Sequence, residues 1–201
     1  MGGTMTAESV KRRVRWPVPP QDGYTVDDLF TLPDLPPHTE LIDGSLVFVS
    51  PQRAFHADAI DLLVTGLRGG LPAEFKVKRE MTIVLDTRNG PEPDVSVIRA
   101  DAATGPDQTS YRAEDVLLAV EVVSPDSESR DRTTKPQKYA AAGIPNFWRV
   151  EQSGTGNRAV IHVYELDPLT QAYVHTGMHR DQVKVDKPCD IVIDLTAIDE
   201  L

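Results

Sequence analysis

Apolar residues along this chain follow two rhythms. From about Gln52 to Leu67, Ala59, Ile60, Leu62, Leu63 and Leu67 recur at the three-to-four-residue spacing of a helix face, and Gly69-Gly70 offers a stop. Elsewhere the pattern is that of strands. "FKVKREMTIVL" alternates over part of its length, "PDVSVI" is short and β-branched, and "DVLLAVEVVS" is apolar almost throughout, as a strand buried on both faces is. "IPNFWRVE", "AVIHVYEL", "AYVHTGM" and "CDIVIDL" supply further strands, with "DPLTQ" and "DKP" as turns.

Polar punctuation sets the remaining boundaries. Pro17, Pro19 and Pro20 forbid a continuous helix, so residues 1–21 are expected to form an irregular arm and 22–201 a single domain. Thr25 can cap a short helix in "TVDDLFTL", which "PDLPP" stops. "TELIDGSLVFVS" reads as a hairpin: a strand over Glu40 to Ile42, a turn at Asp43-Gly44 and a second strand through Ser50. A last helix is expected from Pro136 to Ala142, capped by Thr133 or Thr134 and closed by Gly143. Pro136 should push Lys135 out of helical geometry, to the cap.

One residue breaks the strand logic. Glu121 lies in the middle of "VLLAVEVVS", where alternation places it on one face with Leu117, Ala119 and Val123. An unpaired carboxylate there would cost several kcal/mol, so it requires a cation, a metal ion or a proton. Asp94, at the head of "PDVSVI", aligns with Ser96 and Ile98. If these strands are neighbours, both acids can converge on one divalent ion, and hard oxygen ligands suit Mg²⁺. Such an ion activates water and offsets charge on a phosphoryl group. A lysine is the natural third member. Lys135 can fold back over the strand end, and Lys138, one turn on, competes for that place. The alternative for Glu121 is a buried salt bridge, to Lys135 itself, with no metal.

Together, "ELIDGSLV", His56, "PEPDVSVI" and "LLAVEVVSPDSESRDRTTKPQKYAAAGIPNFWRVE" resemble the Uma-type family of restriction-endonuclease-like proteins, a branch of the PD-(D/E)XK nuclease superfamily, from about Tyr24 to Leu195. The resemblance implies an α/β fold, with a central mixed sheet flanked by helices and extra β-hairpins near both ends. It also implies an endonuclease that hydrolyses phosphodiester bonds with Mg²⁺, or Mn²⁺ in its place. Asp94 then matches the acid of "PD", Glu121 the acid of the next strand, and Lys135 the lysine four residues before Tyr139. Glu40 matches an acid ahead of "IDG" that can add a metal ligand, and His56 a helix histidine without an assigned role. The wider superfamily places its lysine two residues after the second acid, a position held here by Val123.

Charge qualifies that picture. With 21 Lys and Arg against 31 Asp and Glu, the formal charge is −10, so contact with nucleic acid, DNA foremost, must be local. Lys76, Lys78 and Arg79, or the run Lys11 to Arg15, can supply such contact. The acidic balance keeps open a rival: a nuclease-fold module without activity, binding nucleic acid or a partner protein, with a homodimer as one form. A phosphoesterase acting on small molecules is a third reading. The single cysteine, Cys189, and the absence of a signal-like or membrane-length apolar run predict a cytoplasmic protein. There is no G-x-S-x-G elbow, and His38, His162, His175 and His179 form no helical metal-binding pair. Phe147 and Trp148 are expected to pack rather than to stack on bases.

Overall fold

The computed structural model describes residues 18–154 and 157–201; most of the expected arm, including the basic run from Lys11 to Arg15, lies outside them. The chain opens with α1 (Val26–Thr31), the hairpin β1 (Glu40–Ile42) and β2 (Ser45–Val47), and the long helix α2 (Ala54–Gly70). Then come β3 (Phe75–Arg79), β4 (Thr82–Val84), β5 (Val95–Arg99), β6 (Ser110–Arg112) and β7 (Val116–Val122). Helix α3 (Lys135–Ala141) leads into β8 (Asn146–Gln152), β9 (Ala159–Asp167), β10 (Ala172–His179), β11 (Gln182–Val185) and β12 (Ile191–Asp194).

Six strands form the central mixed sheet, in the order β10-β9-β8-β7-β5-β3. Its one parallel junction joins β7 to β8, and α3 makes the crossover that a parallel pair requires. Strand β7 is interior, as its apolar run implied. Leu118, Val120 and Val122 face α2 and pack with Ile60, Leu63, Leu67 and Trp148, while Ala119 joins Tyr139, Ile144 and Phe147 on the α3 side. Each such large side chain withdrawn from water contributes roughly 1.5 to 3 kcal/mol. Phe147 and Trp148 are both core residues.

Thr25 caps α1 through a reciprocal capping box with Asp28, and Asp43-Gly44 forms the hairpin turn with both residues at positive φ. The hairpins β1-β2 and β11-β12 are the extra pairs expected near the two ends. Several boundaries differ from the sequence reading. Strand β2 ends at Val47 rather than Ser50. Helix α2 runs through Gly69-Gly70 and stops at Leu71, whose N–H bonds back to Leu67 just ahead of Pro72. "FKVKREMTIVL" is two strands, because Glu80 turns the chain at φ 47 and sends β4 away to pair with β6. In β7 the register slips between Val97 and Ile98 of its partner, so Leu117 packs toward α2 and leaves the face of Glu121.

The approach to α3 also differs. A single π-helical turn, Arg130–Thr134, runs directly into α3, so Lys135 is helical (φ −62, ψ −47) in spite of Pro136. Neither threonine caps the helix, and Thr133 Oγ1 instead donates to the Ser129 carbonyl at 2.5 Å. Gly143, at φ 81, closes it.

Candidate active site

Asp94 immediately precedes β5, and Glu121 is the penultimate residue of β7. These strands pair Val95 with Val120, Ser96 with Ala119 and Val97 with Leu118. Asp94 and Glu121 are the next residues beyond the Val95–Val120 pair that ends this ladder. Both side chains line one cavity of about 80 Å³ at this end of the sheet, shared with Glu40, His56, Glu92 and Lys135.

Asp94 leans toward α2. Its Oδ2 accepts from the Val122 amide at 2.6 Å, and its Oδ1 meets His56 Nε2 at 2.9 Å. Glu121 leans toward α3, where Oε1 accepts from the Tyr139 hydroxyl at 2.5 Å and Oε2 from Lys135 Nζ at 3.0 Å. Lys135 and Tyr139, four residues apart on one helical face, thus hold the two oxygens of one carboxylate. Lys135 Nζ also pairs with Glu40 Oε1 at 2.7 Å and lies 3.7 Å from Asp131 Oδ1. Glu40 Oε1 accepts in addition from the Glu92 amide at 2.8 Å. The structure therefore brings Asp94, Glu121, Lys135 and Glu40 to one place. Lys138 is elsewhere, bound to Asp43 Oδ1 at 2.5 Å.

Glu40, Glu121, Asp131 and Lys135 are all buried, with Asp94 at the margin. Burial pushes Glu121 well above the usual carboxylate range against the pull of Lys135, and raises Asp131 to about 6. Burial also opposes the charge on Lys135, yet Glu121, Glu40 and Asp131 outweigh it and hold the ammonium well above its ordinary range. For His56 burial again opposes the charge, and Asp94 more than compensates. Four carboxylates around Lys135 and His56 leave the cluster short of positive charge, a deficit that a proton or a cation could meet.

That deficit is the reason a divalent ion fits. Asp94 and Glu121 offer oxygen donors to one cavity, and Mg²⁺ typically takes only one or two protein carboxylates. Among the described residues no three His, Cys, Asp or Glu side chains are gathered as a ready-made metal cage. The sequence reading omitted Tyr139 as a partner of Glu121, along with Asp131 and Glu92. For the first two the available signal was spacing, four residues to either side of Lys135.

A six-stranded mixed sheet with helices on both faces and acids at the ends of two paired central strands defines a nuclease-type α/β fold. The chain belongs to the Uma2 family, described as "Putative restriction endonuclease", whose profile matches residues 26–195. It resembles the crystal structure of "a putative nuclease belonging to DUF820" from Anabaena variabilis ATCC 29413. That likeness has a TM-score of 0.58 at 15% identity, over 88% of this chain and 92% of the other. No curated protein matches the sequence.

Proposed function

We propose that this protein is a Mg²⁺-dependent endonuclease that hydrolyses phosphodiester bonds of DNA, with Mn²⁺ able to replace Mg²⁺. The observation that carries the reading is the convergence of Asp94, from the start of β5, and Glu121, from the end of β7, with Lys135 on one cavity. Asp94 and Glu121 are the residues that would hold the ion, with Glu40 able to add an oxygen once Lys135 moves. When bound, the ion supplies Lewis acidity to a phosphoryl oxygen and makes water a better nucleophile near neutral pH.

The chain's own residues do the rest. His56 and the Val122 amide fix the Asp94 carboxylate, and Tyr139 fixes one oxygen of Glu121, so both acids are oriented before any ligand arrives. Lys135 stays protonated among three acids and is the donor that can turn toward charge developing on the phosphate. DNA as the polymer is our reading of the words "restriction endonuclease" in the family's description.

Calorimetric titration of Mg²⁺ should give saturable heat with the wild type and none with Asp94→Ala. A panel of single-stranded, duplex and branched substrates should be cut by the wild type and left intact by Glu121→Gln. Identical metal titrations for wild type and Asp94→Ala would remove the site assignment.

A second reading has a specific observation behind it. Lys135 is engaged by three carboxylates, and the chain carries a formal charge of −10, so the same cavity can serve a binding module without hydrolysis. In that case Glu121→Gln leaves binding unchanged and nothing in the panel is cut. Size measurement with and without oligonucleotide then reports whether the bound form is a homodimer.

A further inference from the structure

The mouth of the acidic cavity holds two arginines that ignore the acids around them. Arg53 and Arg130 line the same cavity as Glu40, Glu92, Asp94 and Glu121, yet neither enters an ion pair among the described residues. Arg79, Arg99, Arg112, Arg132 and Arg149 are paired with carboxylates, and the other described arginines without such a pair, Arg68, Arg88, Arg158 and Arg180, do not line this cavity. The Nε of Arg130 is buried and has no hydrogen-bond partner.

Arg53 is also the N-cap residue of α2, a helix of 17 residues with no side-chain cap and no acid in its first turn. A helix start left in this state presents free amides and a partial positive charge. His56, in that first turn, is 92% buried, and with Nε2 committed to Asp94 its Nδ1 has no partner. Arg53, His56, Ser124 and Pro125 line both the acidic cavity and a second one of about 200 Å³ beside it. The two cavities are neighbours, with Arg53 on the boundary between them and Arg130 on the acidic side; Glu128 and Glu151 of the second cavity are both paired with Arg132.

We propose that Arg53, Arg130 and the start of α2 form a phosphate-binding subsite for a polynucleotide whose chain continues from the acidic cavity into the neighbouring one. The inference rests on the nuclease reading and adds to it a contact with a phosphate beyond the scissile one. A polyanion with a phosphate beyond the scissile one is preferred over a small phosphodiester, because only the longer chain occupies the neighbouring cavity that Arg53 also lines. The arginines carry the contact as fixed charges with planar donors suited to phosphate oxygens.

The test is fluorescence anisotropy of a labelled oligonucleotide of about 16 nucleotides, single-stranded and duplex, over a salt series with EDTA present so that metal-dependent cutting is off. Arg53→Ala and Arg130→Ala should each weaken binding at least about fivefold and lower the slope of log K against log salt by about 0.7 to 0.9. Arg53→Lys and Arg130→Lys should recover most of the slope, which separates lost charge from lost fold. Arg68→Ala, at the far end of α2, should bind as the wild type does. If both alanine variants keep wild-type affinity and slope, or the wild type binds no oligonucleotide, the subsite is wrong. Arginine-dependent binding without cutting in Mg²⁺ removes the nuclease reading and leaves the subsite; cutting that is indifferent to both arginines does the reverse.

Discussion

Glu121 is held by two residues of one helix, and the acids buried with it around Lys135 are costly to ionise. Asp131 shows it most directly. Burial raises its pKa from 3.8 to about 6, against the pull of Lys135 and of Ser127. Between those two values the folded protein holds a proton that the unfolded chain has released. Stability therefore falls as pH rises through this window, and the loss is complete above about 6. A shift of that size corresponds to roughly 3 kcal/mol. Asp131→Asn, which cannot ionise, should melt higher than the wild type at pH 8 and close to it at pH 4.5, with metal chelated. An equal difference at both pH values would mean that the ionisation is not the source.

Helix α2 and strand β12 meet at Gly66. A methyl group there would sit 2.8 Å from both Cγ1 and Cγ2 of Ile193 and 3.0 Å from its Cδ1, so the whole side chain is in the way. Gly66→Ala should improve helix propensity by about 1 kcal/mol and still lose stability, since overpacking a core costs about 1 to 3 kcal/mol. In thermal melts Gly66→Ala/Ile193→Ala should be more stable than the sum of the single changes; strict additivity would deny the contact. Nothing local announces it: "LLVTGLRGG" has three glycines, and only the packing of a distant strand makes the first one necessary. The same divide runs through the fold. The Thr25 cap, the Asp43-Gly44 turn and the apolar face of α2 were legible because each depends on neighbours within a few residues. Strands β6 and β11 were not, because three or four residues carry too little periodicity and their pairing is tertiary. Asp94 and Glu121 stood out as acids within β-branched runs. Arg53 and Arg130 did not, since an arginine without a partner reads in sequence like any other.

Across the whole molecule, the 31 acids outnumber the 21 lysines and arginines, and several acids are gathered around one ammonium inside the fold. A ligand of opposite charge bound only by the folded form stabilises it by mass action, about 1.4 kcal/mol at ten times its dissociation constant. For a chain of this size that is about 3 to 5 °C. Millimolar Mg²⁺ should therefore raise the melting temperature beyond the effect of NaCl at equal ionic strength, and Glu121→Gln should abolish the excess. No excess in the wild type would mean that the cluster meets its deficit with protons alone. Among the described residues no helix is long and apolar enough to cross a membrane. The Asp94 carboxylate, finally, does a job that is independent of any reaction. By accepting from the Val122 amide it continues the β5-β7 ladder past the first residue of β5. A form of this chain without any activity would still need an acceptor at that position to keep its central strands together. Under the proposed reading, relatives that lose hydrolysis should therefore vary first at the positions of Lys135 and Glu121, while the aspartate persists as a structural acceptor.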